Sequence, residues 1–215
     1  MGAWLRTDLQ TKRTPSWSTG NLVLGILIVV LMVLGTQIYK DYGISWDEPQ
    51  QRLIGQVSTN YILETLFPFL DWSMADVPAL HAFRDKDYGV VFEVPAVLLE
   101  RALGLEDPRQ IFMMRHLLNY IVFMMGVASV FKLLEYRFGD WRPALLGALL
   151  LIVSPRFFAE SFFNSKDIVF MSFFALAMMT MMRFLAEPGV RTAALHAFAT
   201  GLAIDVRIMA VMILA

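Results

Sequence analysis

Five long apolar stretches dominate this chain and limit what it can fold into. They cover residues 22–39, 117–131, 144–158, 168–182 and 193–215. A helix needs about 20 apolar residues to cross the hydrocarbon core of a bilayer, so each stretch is a candidate membrane span. The mean hydropathy of +0.57 and the hydrophobic share of 57% exceed those of an ordinary soluble domain. The sequence therefore predicts an all-α polytopic membrane protein with about five transmembrane helices.

The two ends of the chain carry different signals. Residues 1–21 contain three basic residues and one acidic residue before the first apolar stretch, which is too long for the core of a signal peptide. We expect a cytoplasmic N-terminal tail over residues 1–21 and one transmembrane module over residues 22–215. The last stretch reaches residue 215 without a flanking charge or aromatic anchor, so we expect the module to be truncated at its C-terminus.

The segment 89–105 is apolar but is interrupted by Glu93, Pro95, Glu100 and Arg101. Each charge at mid-bilayer costs about 2.5 to 3.5 kcal/mol on insertion scales. At helical spacing the valines and leucines form one stripe, with the charges away from its centre. We therefore predict a surface or packed helix here and not a sixth span.

Loop charges predict the orientation of the spans. Without a sixth span, the long loop 40–115 and the loop 159–167 share one side, and the connections 132–142 and 183–191 share the other. The second side has Lys132, Arg137, Arg142, Arg183 and Arg191, whereas the long loop is mainly acidic. The positive-inside rule then places the N-terminus in the cytoplasm and the acidic loop outside.

Asp47 and Glu48 form an acidic pair just after the first span, directly before Pro49. In one interpretation they cap an amphipathic surface helix over residues 49–67, because acids and proline suit the first turn of a helix. In the other, Asp47 is a general base that takes a proton from a hydroxyl, and Glu48 orients it or binds a metal ion. Both interpretations are compatible.

Three cations near the same face are candidates for binding a lipid phosphate: Arg115, Arg156 and Lys166. Arginine suits bidentate phosphate contact, and lysine acts as a point charge. The alternative is that these side chains only reach toward the membrane interface to keep their charge in water.

The exterior Asp47-Glu48 pair after the first span, a long loop, and Ser154-Pro155 ahead of Asp167 together resemble the GT-C membrane glycosyltransferases. Within them the chain is similar to the group of protein O-mannosyltransferases and lipid A aminoarabinose transferases, families 39 and 83. Arg115 resembles an arginine that often opens the second span of that group. Phe162 stands where the group commonly has another arginine, so Arg156 or Lys166 is expected to take its role.

The resemblance implies a GT-C N-terminal module and an inverting transfer of sugar from a polyprenyl-phosphate donor to an acceptor hydroxyl outside. Asp47, Glu48 and Asp167 would be catalytic, and Arg115, Arg156 and Lys166 would bind the departing phosphate. The acceptor would be a lipid, a glycan or a protein, and the location a bacterial inner membrane or a plasma membrane, among membrane lipids. A divalent cofactor such as Mg or Mn stays open, because oxygen ligands alone indicate one only weakly.

Two other classes of protein remain open from the residues alone. A transporter would use Asp205 and Arg207, inside the last apolar stretch, to line a pathway. A scaffold subunit would use the aromatic segment 156–163 to bind a partner. A nucleic-acid partner is not indicated, since the formal net charge is −1, and the absence of cysteine excludes a thiolate nucleophile or ligand.

Overall fold

The structure, a computed structural model, describes residues 19–69, 74 and 77–214, and every regular element in these ranges is helical. The all-α polytopic prediction is confirmed. Residues 1–18 of the predicted tail lie outside the described ranges. The helices are α1 Thr19–Ile38, α2 Glu48–Leu66, α3 Glu93–Ala102, α4 Pro108–Phe138, α5 Trp141–Val153, α6 Pro155–Phe163, α7 Asp167–Ala186 and α8 Val190–Val206, with short 3-10 helices at Leu80–Ala82 and Ile208–Leu214.

Three of these helices, α1, α4 and α7, are long and apolar enough to cross a membrane. The third predicted span is divided into α5 and α6, which meet at an angle of 68° and qualify as one span only when taken together. The bend follows from Pro155, which removes a backbone N–H and disfavours helical geometry at the residue before it. Ser154 accordingly has an extended backbone between the two helices.

The fifth predicted span differs most from the structure. Helix α8 ends at Val206 after 17 residues, and Arg207 has an extended backbone before the second 3-10 helix begins. The described ranges therefore contain three candidate spans, or four if the bent pair counts as one, instead of about five. The physical reason is that Asp205 and Arg207 both bond to other segments, as described below.

Helix α4 is the centre of the bundle and packs against α1, α5, α6 and α7. The core contains the fully buried side chains of Tyr120, Phe123 and Phe131 on α4, together with Phe162 of α6. The Tyr120 hydroxyl donates a 2.7 Å hydrogen bond to the Leu31 carbonyl of α1. Apolar packing and a few buried hydrogen bonds hold membrane helices together in this way.

Helix α4 has defined start and stop signals. Asp107 accepts a 3.3 Å hydrogen bond from the backbone N–H of Arg109, and Pro108 occupies the first helical position. Gly139 ends the helix in the left-handed conformation at φ 67°. Asp140 then caps α5, and its hydrogen bond from the Arg142 N–H lowers the pKa of the Asp140 carboxyl.

The two helices of the long loop have the predicted positions, but α3 differs in detail. Helix α2 covers the predicted 49–67 segment, and α3 is a ten-residue helix packed on α2 and α4, so the segment 89–105 is not a span. Glu93 and Glu100 were placed away from the apolar stripe, whereas the structure buries both. They are tolerated because Glu93 pairs with Arg115 and Glu100 pairs with Arg52.

Helices α1 and α4 contact each other at both ends of the bundle. At one end Asn21 accepts a hydrogen bond from Lys132, so the start of α1 meets the end of α4. At the other end the Tyr39 carbonyl lies beside His116, so the end of α1 meets the first turns of α4. We call this second end the acidic end; it comprises residues 39–48, 88–93, 115–116, 160–167 and 205–207.

Candidate active site

The two carboxylates of the acidic pair have different surroundings. Glu48 is 5% exposed, and its Oε1 lies 2.8 Å from Nε2 of His116, while its Oε2 accepts a 2.6 Å hydrogen bond from the Ser45 N–H. Half-buried Asp47 occupies the N-cap of α2 but makes no capping bond with its side chain. The Asp47 carboxylate accepts a weak 3.5 Å hydrogen bond from the Gln51 amide. Glu48 is therefore held at both carboxylate oxygens, whereas the Asp47 carboxylate is held only weakly by the described residues.

Arg115 is held in a buried polar group near the acidic pair. It is 3% exposed and is ion-paired with Glu93, whose Oε1 also accepts a 2.7 Å hydrogen bond from the Ser165 hydroxyl. Nη1 of Arg115 is buried and has no hydrogen-bond partner within the described part of the chain. Buried N–H groups are nearly always paired, so this atom is suited to an oxygen of a bound ligand.

Lys166 and Asp167 lie at the start of α7, at the same end of the bundle. The Lys166 ammonium stands 4.2 Å from the centre of the Tyr88 ring, which anchors it over the long loop. Asp167 is ion-paired with Arg207 and accepts a 3.2 Å hydrogen bond from the Asn164 amide. The second predicted acid is therefore balanced by a cation that arrives from beyond α8.

Arg156 is placed differently from the other predicted phosphate ligands. Its side chain is 83% exposed, and its Nε donates a 2.8 Å hydrogen bond to Glu160 one turn along α6. Among the residues that the structure describes, this is the ion pair that Arg156 makes, and it joins none of the other predicted site residues. Ser154 and Pro155 form the start of α6.

Phe162 is a core residue in this chain. Its ring is fully buried and is stacked on Tyr42 at 4.4 Å and on Tyr120 at 4.6 Å between ring centres. Burial also raises the pKa of the Tyr42 hydroxyl, so this ring stays neutral beside Phe162. The expected replacement for an arginine here is Lys166 or Arg156, and Lys166 is the one that lies at the acidic end.

Helix α4 carries a polar stripe that the sequence analysis used only in part. Besides Arg115, its members are His116 and Asn119, both 1% exposed. Asn119 donates a 3.0 Å hydrogen bond to the Ser161 carbonyl of α6. Polar residues inside an apolar span are seldom accidental, so the sequence RHLLNY at 115–120 held the signal that would have identified His116 and Asn119.

Asp205 and Arg207 also belong to the acidic end. Oδ2 of Asp205 accepts 2.8 Å hydrogen bonds from the backbone N–H groups of Val90 and Val91, just before α3. Arg207 pairs with Asp167, and its Nε is buried without a partner among the described residues. The two side chains therefore fasten the end of α8 to the loops, which explains why the helix stops there.

A metal site is not evident in the described ranges. No group of three or more histidine, aspartate or glutamate side chains there is arranged to hold an ion. Glu48, the suggested ligand, has one oxygen beside His116 and the other on the Ser45 N–H. We therefore assign no residue to a metal.

Comparison with known families covers the second part of the chain. Residues 111–215 match the family model described as dolichyl-phosphate-mannose-protein mannosyltransferase. This match confirms the resemblance to GT-C, family 39-like glycosyltransferases. The matched segment is therefore similar to membrane glycosyltransferases of the mannosyltransferase type. No curated protein and no solved structure matches the chain.

The matched segment contains Arg115, Arg156, Lys166 and Asp167, whereas the acidic pair precedes it. The contact between Glu48 and His116 joins the two parts, because His116 is next to Arg115 on α4. The structure therefore brings the acidic pair to the same end of the bundle as Arg115 and Lys166 of the matched segment.

Proposed function

We propose that this protein transfers a sugar, with inversion, from a polyprenyl-phosphate donor to an acceptor hydroxyl on the exterior face of the membrane. The observation that carries the proposal is the 2.8 Å contact between Glu48, the neighbour of Asp47, and His116, the neighbour of Arg115 in the matched segment. A carboxylate and a buried arginine at the same end of the bundle suit a reaction that removes a proton and releases a phosphate.

Asp47 is the proposed general base. The acceptor oxygen attacks the anomeric carbon while its proton passes to the Asp47 carboxylate, and the bond from that carbon to the phosphate oxygen breaks. The electron pair of the broken bond leaves with the polyprenyl phosphate. One direct displacement of this kind inverts the configuration at the anomeric carbon, so a β-linked donor gives an α-linked product.

Arg115 and Lys166 are the proposed contacts for the departing phosphate. The buried Nη1 of Arg115 has a free donor position, and it is rigid because Glu93 holds the other side of the guanidinium group. Lys166 supplies a point charge from the start of α7, and Arg156, which is exposed, supplies a further cation at the membrane surface. Asp167, balanced by Arg207, supports the acceptor or the base.

In this proposal the protein lies in a bacterial inner membrane or a plasma membrane. Its acidic end faces the exterior, and its N-terminus lies on the cytoplasmic side. The acceptor is a lipid, a glycan or a protein. The transporter alternative depended on Asp205 and Arg207 inside a span, and both instead bond to loop and helix-end groups at the acidic end. The scaffold alternative gives no role to the buried, unpaired nitrogen of Arg115.

The experiment is a transfer assay with the full-length protein in liposomes that contain extracted membrane acceptors. One sample receives labelled β-linked polyprenyl-phosphate mannose as the donor, and a second receives labelled nucleotide-linked mannose. We expect label transfer from the lipid donor alone, an α-linked product, and loss of transfer in Asp47→Asn at equal folded abundance. A β-linked product would contradict the proposal. Transfer from the nucleotide-linked sugar but not from the lipid donor, or full transfer by Asp47→Asn, would also contradict it.

A further inference from the structure

His116 is a buried histidine with an oxygen atom facing each ring nitrogen. The residue is 1% exposed. Its Nε2 lies 2.8 Å from Oε1 of Glu48, and its Nδ1 lies 3.4 Å from the backbone carbonyl oxygen of Tyr39. The imidazole therefore connects α4 both to the end of the first span and to the start of α2.

The hydrogen-bonding partners of the His116 ring determine where its hydrogen atoms lie. A backbone carbonyl only accepts, so the contact with Tyr39 places a hydrogen on Nδ1. The contact with Glu48 requires one more shared proton, carried either by Nε2 or by the carboxyl group. Because the second oxygen of Glu48 accepts from the Ser45 N–H, the carboxyl group is held at both oxygens.

Asp47 gains its position from this arrangement. It is adjacent to Glu48 in the turn 45–48, and among the described residues its own carboxylate has only the weak contact with Gln51 to orient it. The turn itself is fixed from one side by the Ser45 N–H and from the other by the His116 ring. Displacing a reacting group by about 1 Å lowers a rate by about a hundredfold, so the fixation of this turn matters for transfer.

We propose that His116 is a positioning residue for glycosyl transfer: by binding Glu48 it holds the turn that aims Asp47 at the acceptor hydroxyl. His116 does not touch the reacting atoms. The inference rests on the proposed function, since it assumes that Asp47 is the base. It assigns the histidine of RHLLNY a task separate from that of the neighbouring Arg115, whose partner is Glu93.

The test compares two conservative variants of the full-length protein, His116→Gln and His116→Asn. The longer glutamine amide reaches Glu48 from α4, as Nε2 does, whereas the asparagine amide resembles Nδ1 and reaches only the Tyr39 carbonyl. Tyr120→Phe is the control, because it removes a different buried hydrogen bond from the same helix. The readouts are kcat and KM for the lipid donor, and hydrogen exchange of the backbone amides in residues 45–51.

We expect His116→Asn to lower kcat by about tenfold or more, with the KM for the donor little changed, because the base is misplaced while the phosphate contacts remain. Its amides at 45–51 should exchange faster than those of the unaltered protein. His116→Gln should recover most of kcat and the slow exchange, and Tyr120→Phe should leave both unchanged. Equal kcat in the asparagine and glutamine variants, or slow exchange at 45–51 in both, would overturn the inference.

Asp47→Asn in the same assay separates the two proposals. If Asp47→Asn retains transfer, the proposed function fails, and the exchange data alone decide whether His116 holds the turn. If Asp47→Asn loses transfer while His116→Asn keeps its full kcat, the proposed function stands and the role of His116 is wrong.

Discussion

The Ser165 hydroxyl donates a 2.7 Å hydrogen bond to Oε1 of Glu93, across 72 positions of the chain. Glu93 in turn is ion-paired with Arg115, so the start of α3, the second turn of α4 and the residues before α7 meet at one buried carboxylate. This junction organises the acidic end, and the charge on Glu93 is what makes a buried arginine tolerable there.

Replacing Glu93 with glutamine should destabilise the protein strongly. The Arg115 charge would remain buried without its counter-charge, and breaking a buried ion pair on one side costs about 3 to 5 kcal/mol. Glu106→Gln is the matched control, because Glu106 is exposed. Thermal unfolding in detergent should show a clear loss of Tm for Glu93→Gln and almost none for Glu106→Gln. Equal Tm values for the two variants would show that the pair is not structural.

The close approach of Gly89 to Asp205 predicts a difference between two glycine substitutions. A Cβ atom at Gly89 would lie 1.6 Å from the backbone oxygen of Asp205, whereas a Cβ atom at Gly43 would have no heavy atom within 4 Å. Gly89→Ala must therefore push α8 away from the loop, at a cost of about 1 to 3 kcal/mol. We expect a lowered Tm for Gly89→Ala and an unchanged Tm for Gly43→Ala. A neutral Gly89→Ala would mean that α8 does not end against this loop.

The proposed orientation can be tested with single cysteines, since residues 1–215 contain none. Arg156 and Arg142 are suited to the experiment, because their side chains are 83% and 73% exposed. Arg156 lies just before the loop 159–167, and Arg142 lies in the connection 132–142, which is assigned to the opposite side. In intact cells a membrane-impermeant maleimide should modify Arg156→Cys but not Arg142→Cys. Permeabilised cells should give modification of both. Modification of position 142 from outside would reverse or abolish the assignment.

Features with a local physical cause could be predicted from the sequence. Helix α2 was predicted within one residue at each end, because Pro49 and the acidic pair mark a helix start and the apolar spacing marks its face. The long apolar runs identified α1, α4 and α7, because a helix must be long and apolar to cross a bilayer. The assignment of the loops to the two sides of the membrane, which depends on the distribution of arginine and lysine, stays a prediction.

Features that depend on distant contacts could not be predicted. Asp205 bonds to residues more than a hundred positions earlier, so nothing near it in the sequence shows that α8 ends at Val206. Glu93 and Glu100 looked like solvent-facing charges until their arginine partners were known. The polar letters of RHLLNY mark His116, but its contact with Glu48, 68 positions earlier, is not visible in the local sequence.

The central claim is that Asp47 does the chemistry while Glu48 holds the structure, and the direct measurement is the rate constant of a single turnover. With donor and acceptor saturating, Asp47→Asn should lower this rate constant by about a hundredfold or more, the usual effect of removing a general base, while Tm and donor binding stay unchanged. Glu48→Gln should instead lower Tm, because it disturbs His116 and Ser45. A single-turnover rate constant for Asp47→Asn equal to that of the unaltered protein would contradict the account.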